Sequence, residues 1–342
     1  MATQTTPPPT STTDAPKPAG KRYGRRISGG AEVSHLAYPD TTQPIKILWP
    51  YVIGIGGLHL IAALNFIPGV FTYLFSWTGL VTMLLGLYVF GTLGINLCYH
   101  RVLTHAGCQL PKWLERTFAL LGVCCLEDTP ARWVAIHRLH HKDSDEQDDP
   151  HSPLVNFFWG HMGWLMVENR GINNMGTYEK FARDILRDPL YLRLEKNLLW
   201  VTVYALHALA FYVVGAAIGW FVAGDLAGAT RFGLSLVMWG VVIRTVVVWH
   251  ITWSVNSLTH IFGYRNYDTG ENSRNNWFVG LVSNGEGWHN NHHADQRAAS
   301  HGHRWWEFDV TYLTIVLLKK LGLAREVVLP RSWTSRQEPA AS

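Results

Sequence analysis

Residues 284–293 read NGEGWHNNHH and crowd three imidazoles, His289, His292 and His293, into five positions. Upstream, His137, His140 and His141 repeat the same HxxHH pattern, His100 and His105 form a looser pair, and His260 follows Asn256 by one helical turn. Residues three and four apart share a helix face, so the first histidine of each HxxHH run can point the same way as the last two, which is chelate geometry. Neutral imidazole is a borderline ligand suited to iron, copper, nickel and zinc, and eight or nine of them exceed what one metal accepts. The count argues for two metals. Zinc is the weaker choice, because structural zinc is usually closed with cysteine and catalytic zinc needs only three protein ligands. A pair of redox metals beside a membrane suits activation of O2. A lone histidine on an apolar face is more often packed or capping than ligating. Repetition of one spacing in separate segments outweighs that reading here.

Long apolar segments separate the clusters and must position them. The 342 residues carry a net charge of +4 with dispersed Lys and Arg and no basic stripe, which excludes a nucleic-acid partner. Sixteen Trp fit a protein that places amphipathic rings at both membrane interfaces. Cys98, Cys108, Cys124 and Cys125 lack CxxC spacing and read as reduced thiols in or near cytosol, with no chemistry assigned to them.

Residues 1–45 are rich in Pro, Thr, Ser and Ala, then carry Lys17, Lys21, Arg22, Arg25 and Arg26, with no apolar h-region; they read as a disordered basic tail. Spans are expected at about 48–68, 70–98, 198–222 and 232–254, forming two helical hairpins. Shorter apolar stretches at 113–126 and 154–167 read as interfacial or buried helices, and 310–323 as an interfacial amphipathic helix. Residues 326–342 read as a flexible C-terminal tail. The second span, at 1.5 Å per residue, exceeds a hydrocarbon core of roughly 30 Å and carries His100 beyond it. His100 and His105 lie about 140° apart around an α-helix, so the helix is expected to end or bend between them. The positive-inside rule puts both termini and every histidine cluster in the cytosol. The expected fold is thus an all-α, multi-pass integral-membrane protein: one unit over 46–325, four transmembrane helices in two hairpins, and a cytosolic helical cap from 99–197 and 255–325 holding a His-rich di-metal site. Arg244 should face the protein interior, and His59 is expected to be a hydrogen-bonded interior residue. In the acidic run after the second cluster, Asp143, Asp145 and Asp149 are candidates to accept the outer N–H of a ligating histidine.

The blocks GINLCYHRVLTH, HRLHHKDSDEQDDPHSP, NSLTHIFG and GEGWHNNHH, with four spans, resemble the integral-membrane fatty acyl desaturases of the stearoyl-CoA or delta-9 type over residues 46–325. That resemblance implies a di-iron centre whose ligands are His100, His105, His137, His140, His141, His260, His289, His292 and His293, with Asn256 holding one iron through a water. It implies O2-dependent insertion of a cis double bond into a long acyl chain held in a kinked apolar tunnel. By the same resemblance the tunnel's far end falls at Leu84 and Tyr88, against the competing reading of ordinary packing. No GxGxxG fingerprint or haem-binding segment is evident, so a separate electron donor, a ferredoxin or a cytochrome b5-like protein, is implied. A His-rich di-iron membrane hydroxylase or monooxygenase is the alternative; a metal transporter would need more ionisable residues within the spans. The carrier of the acyl chain is expected to be a membrane lipid rather than CoA. Where acyl-CoA enzymes have an Arg-Asp pair before the second box this chain has Ala135 and Ile136, and where they have a later basic pair it has Glu168 and Asn169. Lys112, Arg132, Lys142 and Arg170 are the basic residues that could compensate.

Overall fold

The chain leaves its first apolar helix through a sharp corner. α1 (Trp49–Leu64) takes Pro50 into its first turn, where a missing N–H costs little. α2 (Pro68–Leu74) again begins on proline, and Ile67 before it sits at φ −65° and ψ 127°, the extended conformation that a following ring imposes. The two helices meet at 88°. In the computed structural model, which describes residues 35–334, the second span consequently begins at Trp77 and not at 70. Ser76 caps α3 (Trp77–Gly86) by accepting from the Gly79 N–H at 2.9 Å. Three helical rods, Trp77–Thr104, Leu199–Ala223 and Leu226–His260, are each long and apolar enough to cross a membrane, and α1 with α2 makes a fourth crossing if the bent pair counts as one. The basic stretch expected to be disordered lies, over residues 1–34, outside the described residues.

α3 continues without interruption as a π-helix, Leu87–Thr104. Its bonds run from residue i to i−5, and the His105 N–H donates to the His100 carbonyl at 3.2 Å. Residues five apart then lie nearly above one another, and the two rings approach to 4.9 Å between centroids. The bend expected between His100 and His105 is replaced by underwinding, with His105 as the C-cap. α4 (Lys112–Val123) packs directly on this stretch: a Cβ on Gly94 would stand 2.4 Å from the Gly122 nitrogen. α5 (Pro130–Asp143) is capped by the Thr129 hydroxyl. The second short apolar helix expected over 154–167 divides into α6 (Phe157–His161) and a 3-10 turn, Gly163–Met166. Three short helices, α7 (Met175–Phe181), α8 (Arg183–Leu186) and α9 (Pro189–Leu194), return the chain to the membrane.

α10 (Leu199–Ala223) pairs with α11 (Leu226–Val237) so closely that a Cβ on Gly219 would lie 2.3 Å from the Gly228 carbonyl oxygen. The fourth rod runs on through a π turn (Met238–Ile243), α12 (Arg244–Ser257) and a 3-10 turn (Leu258–His260), carrying Asn256 and His260 past the span as expected. Arg244 is 0% exposed and faces inward. Its guanidinium donates to the Cys124 carbonyl at the end of α4 (2.9 Å), reaches His207 (3.2 Å), and lies 4.3 Å over the Phe90 ring. The cap is completed by α13 (Trp277–Val282), α14 (His289–Ala294), α15 (Val310–Lys320) and α16 (Arg331–Thr334). The described parts of both expected tails pack on this cap. The Leu36 N–H donates to the Leu154 carbonyl (3.0 Å), Tyr38 meets Trp159 edge-on, the Val328 N–H reaches the Gly107 carbonyl (2.8 Å), and Trp333 packs on Tyr312. Aromatic side chains at 38 and 333 give those segments surface to bury, so residues 35–45 and 326–334 differ from the free tails expected there.

Candidate metal centre

Two helices, one helix end and one turn deliver nine imidazoles to two adjacent groups. α5 sends His137 and His141, four apart and on one face, to the first group, and His140 to the second. α14 mirrors this, sending His289 and His293 to the second group and His292 to the first. The π-helix end adds His100 and His105 to the first, and the turn after α12 adds His260 to the second. Within each group the ligating atoms all lie within 4.8 Å of one another. Each HxxHH triple therefore divides two to one, where the spacing alone had all three pointing together. A single helix serves both groups, which fixes their separation through α5 and α14.

The electrostatics favour a cation at each group. His100 Nδ1 donates to Glu286 (2.5 Å), His140 Nδ1 to Asp149 (3.0 Å), and His260 Nδ1 to Asp145 (2.8 Å). A carboxylate can only accept, so these contacts put the proton on Nδ1 and leave an Nε2 lone pair facing inward. His100 Nε2 stands 3.1 Å from His292 Nε2, His292 Nε2 is 2.9 Å from His141 Nε2, and His260 Nε2 is 3.1 Å from His289 Nε2. Spacings of about 3 Å are those of neighbouring ligand atoms held ~2.1 Å from a common metal. Burial and the neighbouring imidazoles push His105, His137, His141, His289, His292 and His293 well below the ordinary imidazole range, which keeps them neutral and ligand-ready. Burial opposes the charged form of His260, yet Asp145 and Glu271 outweigh it and raise that imidazole, so its Nε2 is a more basic donor that a metal would have to claim from a proton. The donor set of nine convergent imidazoles with three carboxylate partners behind them fits transition metals with nitrogen ligands.

Of the three acidic candidates, Asp145 and Asp149 stand behind ligating atoms. Asp143 does not: its carboxyl pairs with Lys142 (2.5 Å) and with none of the nine histidines. Burial would raise Asp149, and His140 overrides it and holds the carboxyl well below its usual range. Several residues behind the groups were not anticipated. Glu286 accepts from Arg101 (2.8 Å) as well as His100, and the fully buried Arg101 also reaches Asp309 (2.8 Å). His301, 1% exposed, stacks on His292 with 4.4 Å between centroids. Glu286 sits inside the GEGWHNNHH block and Arg101 directly follows His100, so adjacency to the clusters was their signal; His301 and Asp309 had none.

A cavity of about 430 Å³ leads to the first group. It is lined by Tyr51 and Leu198, by Trp133, Trp249 and Trp253, and by His100, His137, Asn256 and Glu286. Glu127 lies on its wall, accepting from Thr252 (2.8 Å) and Trp133 (3.3 Å). Neither Leu84 nor Tyr88 lines it. Leu84 is 54% exposed on the outer face of α3, and the Tyr88 hydroxyl is bonded to Thr314 of α15 at 2.7 Å. The competing reading of those two positions, ordinary packing, is the one these contacts match.

The family model described as fatty acid desaturase matches residues 50–310. An sn-1 stearoyl-lipid 9-desaturase of Anabaena variabilis is 42% identical over 294 residues, 86% of this chain and 98% of that one. An sn-1 stearoyl-lipid 9-desaturase of Synechocystis is 38% identical, covering 86% of this chain and 85% of its own. An acyl-CoA 5-desaturase of Anemone leveillei is 37% identical over 88% of this chain and 90% of its own. With the apolar rods, the paired imidazole groups and the cavity that reaches them, these matches make the chain a member of the fatty acid desaturase family, a membrane oxidoreductase that desaturates fatty acyl chains.

Proposed function

We propose that this enzyme inserts a cis double bond, at the delta-9 position, into a long saturated acyl chain carried on a membrane lipid. The observation that carries the reading is the pair of buried imidazole groups at the inner end of an apolar, Trp-walled cavity. The nine histidines named above would hold two iron ions, five nitrogens to one and four to the other, with Asn256 joining through a water. Iron supplies the oxidising power from O2 that no side chain has. The overall reaction balances as –CH2–CH2– plus O2, two electrons and two protons giving –CH=CH– and two waters. The residues contribute position. Trp133, Trp249 and Trp253 exclude water and hold the chain, while Asp145, Asp149 and Glu286 fix the tautomer of His260, His140 and His100. The electrons come from a separate ferredoxin or cytochrome b5-like donor docking on the side of the groups, which this reading assigns to the cytosol.

The reading of the carrier is supported by where the cations are spent. Arg132 pairs with Glu195 (2.9 Å) and Asp128 (3.3 Å), Lys112 with Glu115 (2.7 Å), and Lys142 with Asp143. Arg170 donates to the Gln43 carbonyl (2.5 Å), and Glu168 is itself paired with Lys46 (2.7 Å). None of these four bases is held in reserve for the phosphates of CoA, whose recognition relies on charge-assisted contacts. The names of the Anabaena and Synechocystis relatives support the same choice. Purified enzyme fed with reduced donor should convert a stearoyl-phospholipid in preference to stearoyl-CoA. Fast conversion of the CoA ester with none of the lipid would overturn the carrier. His140→Ala and His292→Ala should each abolish turnover and lower bound iron, and full activity in either would overturn the ligand set.

A further inference from the structure

The first imidazole group is open on two sides. The acyl cavity touches it at His100 and His137. A second recess of about 340 Å³ touches it at His105 and His141, walled by Thr104, Arg138, Gln296 and Arg297. No residue lines both. The first reaches Leu198, 65% exposed where α10 begins, whereas the recess lies between the π-helix end, α5 and the segment after α14.

We infer that this recess is the aqueous vestibule of the metal centre, the route by which water leaves and protons and small solutes arrive while an acyl chain occupies the cavity. The inference rests on the metal-centre reading above. Its chemical motive is mass balance: each turnover yields two waters beside a chain that fills the mostly apolar cavity, so the polar groups of that wall are covered by the chain and the waters need another way out. The recess offers water partners in imidazole, guanidinium and amide groups. Its walls are fixed backbone. Ala106 is held at φ 51°, a left-handed conformation that costs a non-glycine residue roughly 1 kcal/mol or more. The Gly107 N–H bonds the Arg101 carbonyl at 2.8 Å, and a Cβ there would press to 3.1 Å on the Arg297 carbonyl oxygen. Arg138, which forms one side, is clamped by Asp184 (2.7 Å) and by the Leu103 carbonyl (2.8 Å). A recess built on strained and clamped backbone stays open rather than collapsing onto the histidines.

The four native cysteines are all buried, so a cysteine placed at the exposed Gln296 or Arg297 is a unique handle. Iron-loaded Gln296→Cys enzyme would be labelled with either methyl methanethiosulfonate or a bulky methanethiosulfonate. Azide binding to the oxidised centre would be followed by visible absorption, and iron removal by a small aqueous chelator by metal analysis, both with saturating stearoyl-lipid present. The bulky label should slow azide binding and iron removal several-fold, the methyl label should not, and reductive release of the label should restore both rates. Arg297→Cys, handled identically, should agree. Unchanged azide and chelator rates under the bulky label, or azide binding abolished by the lipid alone, would overturn the vestibule while leaving the metal centre intact. A purified protein that retains no iron and shows no azide band would overturn both.

Discussion

Carboxylates behind the imidazoles set which nitrogen faces the metals, and the effect belongs to single atoms. Replacing Asp149 with Asn removes an acceptor that bonds His140 Nδ1 at 3.0 Å and offers an amide that can present its own N–H. Loss of such an outer contact lowers metal affinity roughly 10–100-fold. Asp149→Asn should therefore give up iron at lower chelator concentration, whereas Asp143→Asn, whose carboxyl touches Lys142, should retain iron like the parent. Glu127 allows a second prediction. Burial pushes its carboxyl up to about 8, with Thr252 and Trp133 pulling the other way. The folded state thus prefers the protonated acid, and its contribution to stability is complete below the unfolded value near 4.5 and is lost as pH rises through about 8. Glu127→Gln has no proton to lose. Melting curves should show the parent falling relative to the variant between about pH 5 and 8, and parallel curves would contradict the protonated Glu127.

At the scale of elements, glycine positions decide whether the helices that carry histidines can approach. A Cβ on Gly94 would stand 2.4 Å from the Gly122 nitrogen, a backbone atom that cannot swing aside, whereas one on Gly57 would meet nothing within 4 Å. Gly94→Ala should destabilise by about 1–3 kcal/mol through overpacking. It should also release iron more readily, because α4 braces the π stretch that ends in His100 and His105; Gly57→Ala should do neither. Melting temperature and iron content read the two together. Much of this level was legible in the sequence: apolar runs gave the rods, and HxxHH on α5 and α14 gave the clusters. Three features were not. A break at Pro68 was expected as a short turn between spans ending at 68 and starting at 70; hidden, because both flanks are apolar, was that the chain past it forms α2 and that the next rod begins only at Trp77. The π winding of Leu87–Thr104 has no periodic signal at the level of single residues, so His100 and His105 were placed about 140° apart when the wider turn aligns them. The two-to-one division of each triple follows from how α5 and α14 are placed about the two groups, which is a tertiary fact. Asp309 and His301 likewise reach the site only through folding of the chain after α14.

For the whole molecule, the arrangement of rods predicts a sidedness. His100 closes the rod Trp77–Thr104 and His260 closes Leu226–His260, so both end on the side from which α10 departs. The loop on the opposite side, between α10 and α11, carries Asp225, which caps α11 by accepting from the Gly228 N–H at 2.7 Å, and little else that is charged. The cap, by contrast, holds Lys112, Arg116, Arg132, Arg138, Lys142 and Arg170 within one stretch of chain. Insertion keeps such cation-rich segments in the cytosol. Since all four native cysteines are buried, single exposed cysteines report the topology directly. Ala227→Cys, exposed in the first turn of α11 beside that loop, should react with a membrane-impermeant maleimide in intact cells. Gln296→Cys, at the rim of the vestibule, should react only after the membrane is opened, and the reverse pattern would place the metal centre, its donor and its water exit on the outer face.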